Sequence, residues 1–180
     1  MQSRKVVITG GPGTGKSSII TELKQSGFTC FDEISRDITL QARQNGIEQL
    51  FLTNPLLFSD KLLEGRKRQY FDASGHIEPL VFLDRGIPDI LAYMDYIGDS
   101  YPKRYEEACI DHTYDTVFIL APWQDIFVSD SERYESFEEA KIIHDRLVDT
   151  YRRFQYNLID VPFDSVTNRA EFVLNTLNLR

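Results

Sequence analysis

Eight residues, Gly10-Gly11-Pro12-Gly13-Thr14-Gly15-Lys16-Ser17, have the types and spacing to grip a chain of phosphates. Glycines let successive backbone N–H groups turn towards one anion, the lysine reaches the outer phosphates, and the hydroxyl after it can bind Mg²⁺. A match to GxxxxGK[ST] also arises by chance as a glycine-rich turn, so its setting decides. Val6-Val7-Ile8 precede it as an apolar strand, and Ser18-Ile19-Ile20-Thr21-Glu22-Leu23 continue as a helix that Gly27 can end. A helix opening near Gly15 adds its positive dipole end to the same anion. ATP with Mg²⁺ is therefore the expected ligand, on Gly11, Pro12, Gly13, Thr14, Gly15, Lys16, Ser17 and Ser18. The guanine signature NKxD does not occur, so GTP preference has no support.

Three further groups carry chemistry. In Val81-Phe82-Leu83-Asp84 an apolar strand delivers an acid to its carboxyl end, the edge where ligands bind in open α/β sheets. Asp84 is thus a candidate Mg²⁺ ligand opposite Ser17, with a helix N-cap as its plainer role. Arg85 follows where AAA+ ATPases usually carry a second acid to activate water, which disfavours hydrolysis as the main task. Asp32-Glu33 leads into Ile34-Ser35-Arg36. Glu33 could act as general base and Arg36 as orienting cation for an acceptor, or the two could form a surface ion pair. Arg133 stands among Asp125, Asp130, Glu132 and Glu135, either as a lid arginine meeting a phosphoryl group in transit or as a rim charge paired with an acid.

The elements that must position these residues follow from the hydrophobic pattern. Five short apolar runs, at 5–9, 28–31, 80–84, 116–120 and 157–161, alternate with longer amphipathic segments. That alternation predicts a parallel α/β sheet covered on both faces. About 45 residues separate the second and third runs, more than one crossover needs, so this insertion must hold at least two helices. Its segment 55–71 reads as a solvated amphipathic helix, with Glu64, Arg66, Lys67 and Arg68 on the outer face. Pro88 is placed to open a helix, and another follows Ser100-Tyr101-Pro102. Ser136-Phe137-Glu138-Glu139 is a capping box, and Ser165 caps the last helix.

Composition bounds the alternatives. The chain has 180 residues, 42% of them apolar and 27% charged, which fits one globular domain spanning 1–180. A net charge of −8 argues against a broad nucleic-acid surface. Cys30 and Cys109 lack metal-site spacing and read as free buried thiols, and His76, His112 and His144 lack ligand spacing. No run of 18 apolar residues and no signal segment is visible, so the expectation is a cytoplasmic protein without a membrane span. Oligomeric state is not legible.

Taken together, ITGGPGTGKSS, DEISRDI, VFLDRGIPD, PWQDIFVSDSERYESFEEA and YNLIDVPFDSVTNRAEFVL resemble the small AAA-type P-loop family related to the ribosylnicotinamide kinase domain of NadR. The resemblance covers nearly the whole chain, and the later motifs in this order are more specific than the first. It implies a nucleoside- and nucleotide-kinase fold, a five-stranded parallel sheet of order 2-3-1-4-5 with a helical acceptor insertion and a lid. Glu33 and Arg36 match the family's acceptor-side Glu-x-x-Arg, Asp84 and Arg85 its Asp-Arg, Arg133 its lid arginine, and Arg169 lies beside its nucleotide-base segment. Ser131 stands where related members often have glycine. The implied activity is ATP- and Mg²⁺-dependent transfer of phosphate to a small hydroxyl-bearing acceptor, such as a nucleoside or ribosyl compound, with Lys16, Glu33, Asp84 and Arg133 as catalytic residues and either Glu33 or Asp84 accepting the hydroxyl proton. Because one eukaryotic relative is regarded as a trafficking protein that binds nucleotide and phosphoinositide, the alternative is a nucleotide-switched module acting on a protein or lipid partner.

Overall fold

The computed structural model describes residues 3–127 and 135–179. Five strands, β1 (Arg4–Gly10), β2 (Cys30–Phe31), β3 (Leu80–Asp84), β4 (Thr116–Leu120) and β5 (Leu158–Asp160), form one parallel sheet in the order β2-β3-β1-β4-β5. This is the expected order. With β1 central, its outgoing loop opens at the crevice where the strand order reverses, and Ile8 pairs in register with Asp84. The two runs that shorten, 28–31 to two residues and 157–161 to three, are the sheet edges, where a strand has one neighbour to pair with.

Successive residues of the strands point to opposite faces. Val6, Ile8 and Phe82 pack against Ile19 and Leu23 of α1 (Lys16–Gln25) and Val173 of α8 (Val166–Thr176). Val7, Val81 and Val117 pack the other way, against Ile143, Leu147 and Tyr151 of α7 (Phe137–Arg153). Both helix layers are therefore pinned to the strands that carry the loops, each fully buried aliphatic side chain contributing about 1.5–3 kcal/mol.

The insertion holds three helices, α2 (Ile34–Gln44), α3 (Leu50–Thr53) and α4 (Pro55–Ser74). Ile38, Leu50, Leu62 and Leu63 from these helices share a separate core with Ile90 of α5 (Pro88–Ile97) and Tyr105 of α6 (Arg104–Asp111). A correction falls on α4. Arg66 does not belong to its solvated face: it is 4% exposed and lies on the buried stripe with Ser59, Leu62, Leu63 and Ala73. Its charge is accepted inside because it meets a carboxylate, described below.

The helix boundaries predicted from capping chemistry are observed. Ser136 accepts a bond from the Glu139 N–H while the Glu139 carboxylate takes the Ser136 N–H at 2.7 Å, and the Ser165 hydroxyl accepts from the Asn168 N–H at 3.2 Å. Pro88 is the first residue of α5. Cys30 and Cys109 are free thiols, but only Cys109 is fully buried. Burial pushes both thiols up to about 12, so neither offers thiolate chemistry. Among the described residues no helix is long and apolar enough to cross a membrane.

Candidate active site

The loop leaving β1 turns through two left-handed glycines, Gly13 (φ 71°) and Gly15 (φ 81°), and Gly15 stands at the N-cap of α1. Only residues without a Cβ adopt this backbone readily. Thr14 secures the turn by donating its hydroxyl to the Gly11 carbonyl at 3.0 Å. Ser17 and Ser18 are exposed in the first turn of α1, free to face a ligand at its positive end. Lys16, the first helical residue, reaches across to the end of β3, where its Nζ lies 2.9 Å from Asp84 Oδ1. Both side chains are buried. Burial, then the Arg85 cation, lowers the Lys16 pKa, and the Asp84 and Glu33 carboxylates oppose this without reversing it.

Apart from the Lys16 ammonium, Asp84 Oδ1 has no partner among the described residues, although it is buried. A buried carboxylate oxygen with a lone pair to spare, together with the exposed serine hydroxyl that follows Lys16, is a hard-oxygen donor set, and it fits Mg²⁺ in the presence of phosphates. Among the described residues no cluster of three or more His, Cys, Asp or Glu side chains could hold a metal by itself.

On the acceptor side, Glu33 caps α2, its Oε1 accepting the Ser35 N–H at 3.2 Å. Its partner is not Arg36. Arg66 Nη2 reaches Oε1 at 3.2 Å, and Arg85 Nε is bound directly to Oε2. Burial pushes the Glu33 carboxyl up, but Arg85, Arg66, Lys16 and the Ser35 N–H overcome this and hold it at about 2. It is therefore ionised at any physiological pH. Three of its four lone-pair sites are taken, leaving one on Oε2. Arg85 adopts a left-handed backbone (φ 76°), unusual for a residue with a Cβ. Arg36 is exposed in the first turn of α2, and among the described residues it has no ion-pair partner.

Arg169 of α8 is 1% exposed and crosses beneath the phosphate loop, donating from Nη2 to the Thr14 carbonyl at 3.0 Å. Its guanidinium lies 5.8 Å from the Trp123 ring, and Trp123 stacks on Phe163 at 5.2 Å between centroids. Burial lowers its pKa, and among the described residues Nε has no hydrogen-bond partner. A cavity of about 370 Å³ opens here, lined by Gly13, Gly15, Ser18, Trp123, Asp164 and Arg169 among others. Its flat aromatic and guanidinium walls beside the phosphate loop suit the base end of a nucleotide. Arg133 lies outside the described residues.

Lys16, Glu33, Asp84, Arg85 and Arg66 thus meet at the carboxyl edge of the sheet, with Arg169 on the far side of the loop. Together, a central-strand phosphate loop, an acid at the end of β3 and a helical insertion define a P-loop protein of the nucleoside-kinase fold. The chain belongs to the AAA domain family, whose sequence profile matches residues 5–169. Two solved structures share the fold closely. One is deoxyadenosine kinase from M. mycoides with the products dCMP and dCDP bound, at 18% identity and TM-score 0.72, covering 97% of this chain and 98% of that one. The other is NadR in complex with NR, at 15% identity and TM-score 0.72, covering 98% of this chain and 50% of that one. The same M. mycoides kinase with bound dATP aligns at 16% identity and TM-score 0.64, covering 97% of this chain and 99% of that one. No curated protein matches the chain by sequence.

Sequence reasoning missed two participants. Arg66 had a signal: it follows Leu62 and Leu63 by four and three residues, on their face of α4. Trp123 is not singled out by the sequence, because its packing against Phe163 and Arg169 joins residues far apart in the chain.

Proposed function

We propose that this chain, as a single domain over 1–180, is a cytoplasmic Mg²⁺-dependent kinase that transfers the γ-phosphoryl group of ATP to a hydroxyl of a small nucleoside or ribosyl acceptor. The observation that carries this is the ionised Glu33, clamped by Arg85 and Arg66 with one lone pair to spare, at the same sheet edge as Lys16. The fold shared with deoxyadenosine kinase and NadR supports the substrate class. A water-activating hydrolase has no use for a carboxylate held by two arginines on the acceptor side.

In this account Gly11 to Ser18 hold the phosphates, and Trp123 and Arg169 flank the base. Ser17 and Asp84 would hold Mg²⁺, which would neutralise charge on the phosphates. Lys16 leaves Asp84 for the phosphate oxygens as the nucleotide enters. Glu33 accepts the hydrogen bond of the acceptor hydroxyl, orienting its oxygen at the γ-phosphorus, while Arg36 and Arg85 line the acceptor. The new O–P bond forms as the bridging bond to ADP breaks, and the hydroxyl proton is shed through Glu33. With a pKa near 2, Glu33 is a weak base, which suits a loose transition state where the proton leaves late. That property suits it to orient the acceptor in preference to Asp84, which would be committed to Mg²⁺. Arg133 is assigned to meet the charge of the group in flight.

The test is acceptor-dependent ADP formation from Mg·ATP across a panel of nucleosides, ribosyl compounds and simple sugars. Stimulation by one class of ribosyl hydroxyl supports the assignment. ADP formation that no acceptor increases would contradict it.

A further inference from the structure

Asp89, in the first turn of α5, is 1% exposed, the least of the buried acids among the described residues, and nothing in the phosphate or acceptor chemistry above uses it. A buried carboxylate needs several donors to be tolerated. Asp89 has four. Oδ1 accepts from Thr9 Oγ1 at 2.5 Å and from Arg85 Nη1 at 3.0 Å, and Oδ2 accepts from the Gly86 N–H at 3.0 Å and the Tyr151 hydroxyl at 2.5 Å. Every lone pair is filled.

The donors come from three elements, two of which also share backbone bonds, since β1 pairs with β3 and Ile8 accepts the Arg85 N–H at 3.1 Å. Thr9 is the residue before the first glycine of the phosphate loop in β1, Arg85 and Gly86 form the turn after β3, and Tyr151 is on α7. The bonds to Arg85 and Gly86 are the informative pair. Arg85 has its backbone in the left-handed region at φ 76°, where a residue with a Cβ persists only if its surroundings hold it. Asp89 holds it from both sides, by the N–H of the next residue and by its own guanidinium. The remaining edge of that guanidinium, Nε, is what binds Glu33 Oε2. Without this turn, the Arg85 side chain would start from a different backbone direction.

We propose that Asp89 is a positioning residue for phosphoryl transfer: it locks Arg85 in its left-handed turn with the guanidinium on Glu33, and through Thr9 ties that acceptor-side pair to the root of the phosphate loop. It touches neither nucleotide nor acceptor and acts only through Arg85 and Glu33. The transfer consequence rests on the kinase assignment, whereas the hold on Arg85 and Glu33 does not.

The two are separated by reading Glu33 directly, with no substrate. Carbon-labelled glutamate is followed by NMR from about pH 7 down to about pH 3, the range above its folded-state value, in wild type, Asp89→Asn and Tyr151→Phe. Wild type is expected to remain ionised throughout, and Tyr151→Phe likewise, because it removes one bond from Asp89 but not the bond to Arg85. In Asp89→Asn the Glu33 carboxyl is expected to begin protonating within the range, its midpoint raised by about one unit or more to the lower end of the range or above as Arg85 leaves. The direction is diagnostic. Deleting a nearby negative charge without moving Arg85 would lower that midpoint, so no rise in Asp89→Asn overturns the proposal. A second readout needs no variant: in wild type the Arg85 Nη protons are expected as resolved, slowly rotating signals, and freely averaged signals would overturn it equally. If an acceptor is found, Asp89→Asn is expected to lose about 10- to 100-fold in kcat with the KM for ATP unchanged, the pattern of a lost transition-state alignment. Full turnover in a folded Asp89→Asn would refute the catalytic half. If wild type transfers nothing, the kinase assignment fails while the Glu33 titration still decides the hold on Arg85.

Discussion

Replacing Glu33 by Gln puts the clamp to a quantitative test, because Gln keeps the shape of the protonated acid and removes its charge. The carboxyl is held at about 2 against an ordinary 4.5, chiefly by Arg85 and Arg66 against the opposing effect of burial. At about 1.4 kcal/mol per pH unit between those values, the ionised form stabilises the fold by about 3 kcal/mol at neutral pH. The folded-state value is depressed, so the unfolded chain binds the proton more readily. The contribution is therefore complete above 4.5, falls as pH drops through the interval, and vanishes below about 2. Near pH 3 about 1.5 kcal/mol should remain. Urea unfolding of wild type and Glu33→Gln at a series of pH values checks this: the gap between them should be about 3 kcal/mol at pH 7 and about half that at pH 3. Equal stability at pH 7, or a gap that does not change with pH, would refute the reasoning. ATP affinity in the same variant is expected near wild type, and transfer to the acceptor reduced by about 10²–10⁴-fold.

Other variants probe the remaining parts. Lys16→Ala is expected to abolish most Mg·ATP binding in calorimetry and, by leaving Asp84 buried and unpaired, to cost stability that Asp84→Asn added to it partly restores. Asp84→Asn alone should raise the Mg²⁺ concentration needed for half-maximal transfer, and an unchanged Mg²⁺ titration would remove Asp84 from the metal site. Gly13→Ala places a Cβ 2.6 Å from the Phe127 ring at φ 71°, so its nucleotide affinity should fall by about tenfold or more and recover only partly with Phe127→Ala, which relieves the contact but not the backbone. Arg133→Ala should lower kcat by about 10²–10³-fold with little change in ATP affinity. A rim charge would instead cost about 0–1 kcal/mol of stability and leave turnover intact.

The strand runs, the phosphate loop and the caps were legible because each is a local pattern with one physical meaning. The order of the sheet came from resemblance, since pairing among parallel strands is set by crossovers that leave little local trace. The site was legible by residue type and not by partnership. Glu33 was singled out correctly as an acid at the sheet edge, but its expected neighbour three residues on, Arg36, is exposed, and its arginines come from α4 and from the turn after β3. Charge runs mislead in the same way. In Arg66-Lys67-Arg68 one arginine is buried by helical phase and paired 33 residues back in the chain, while Lys67 is half-buried and Arg68 exposed. Asp89 escaped notice because its role is a junction of four donors from three elements, which no spacing rule records.

The central claim is that a bound ATP loses its γ-phosphoryl group to a hydroxyl held by Glu33, and phosphorus NMR of the reaction mixture reads that event directly. With Mg·ATP, wild-type protein and a ribosyl acceptor, the γ-phosphorus signal should decline as a phosphomonoester signal and ADP rise in equal amounts, and the monoester should be absent with Glu33→Gln. ATP that binds but stays intact, or that yields only inorganic phosphate, would contradict the account and mark the chain as a nucleotide-switched module.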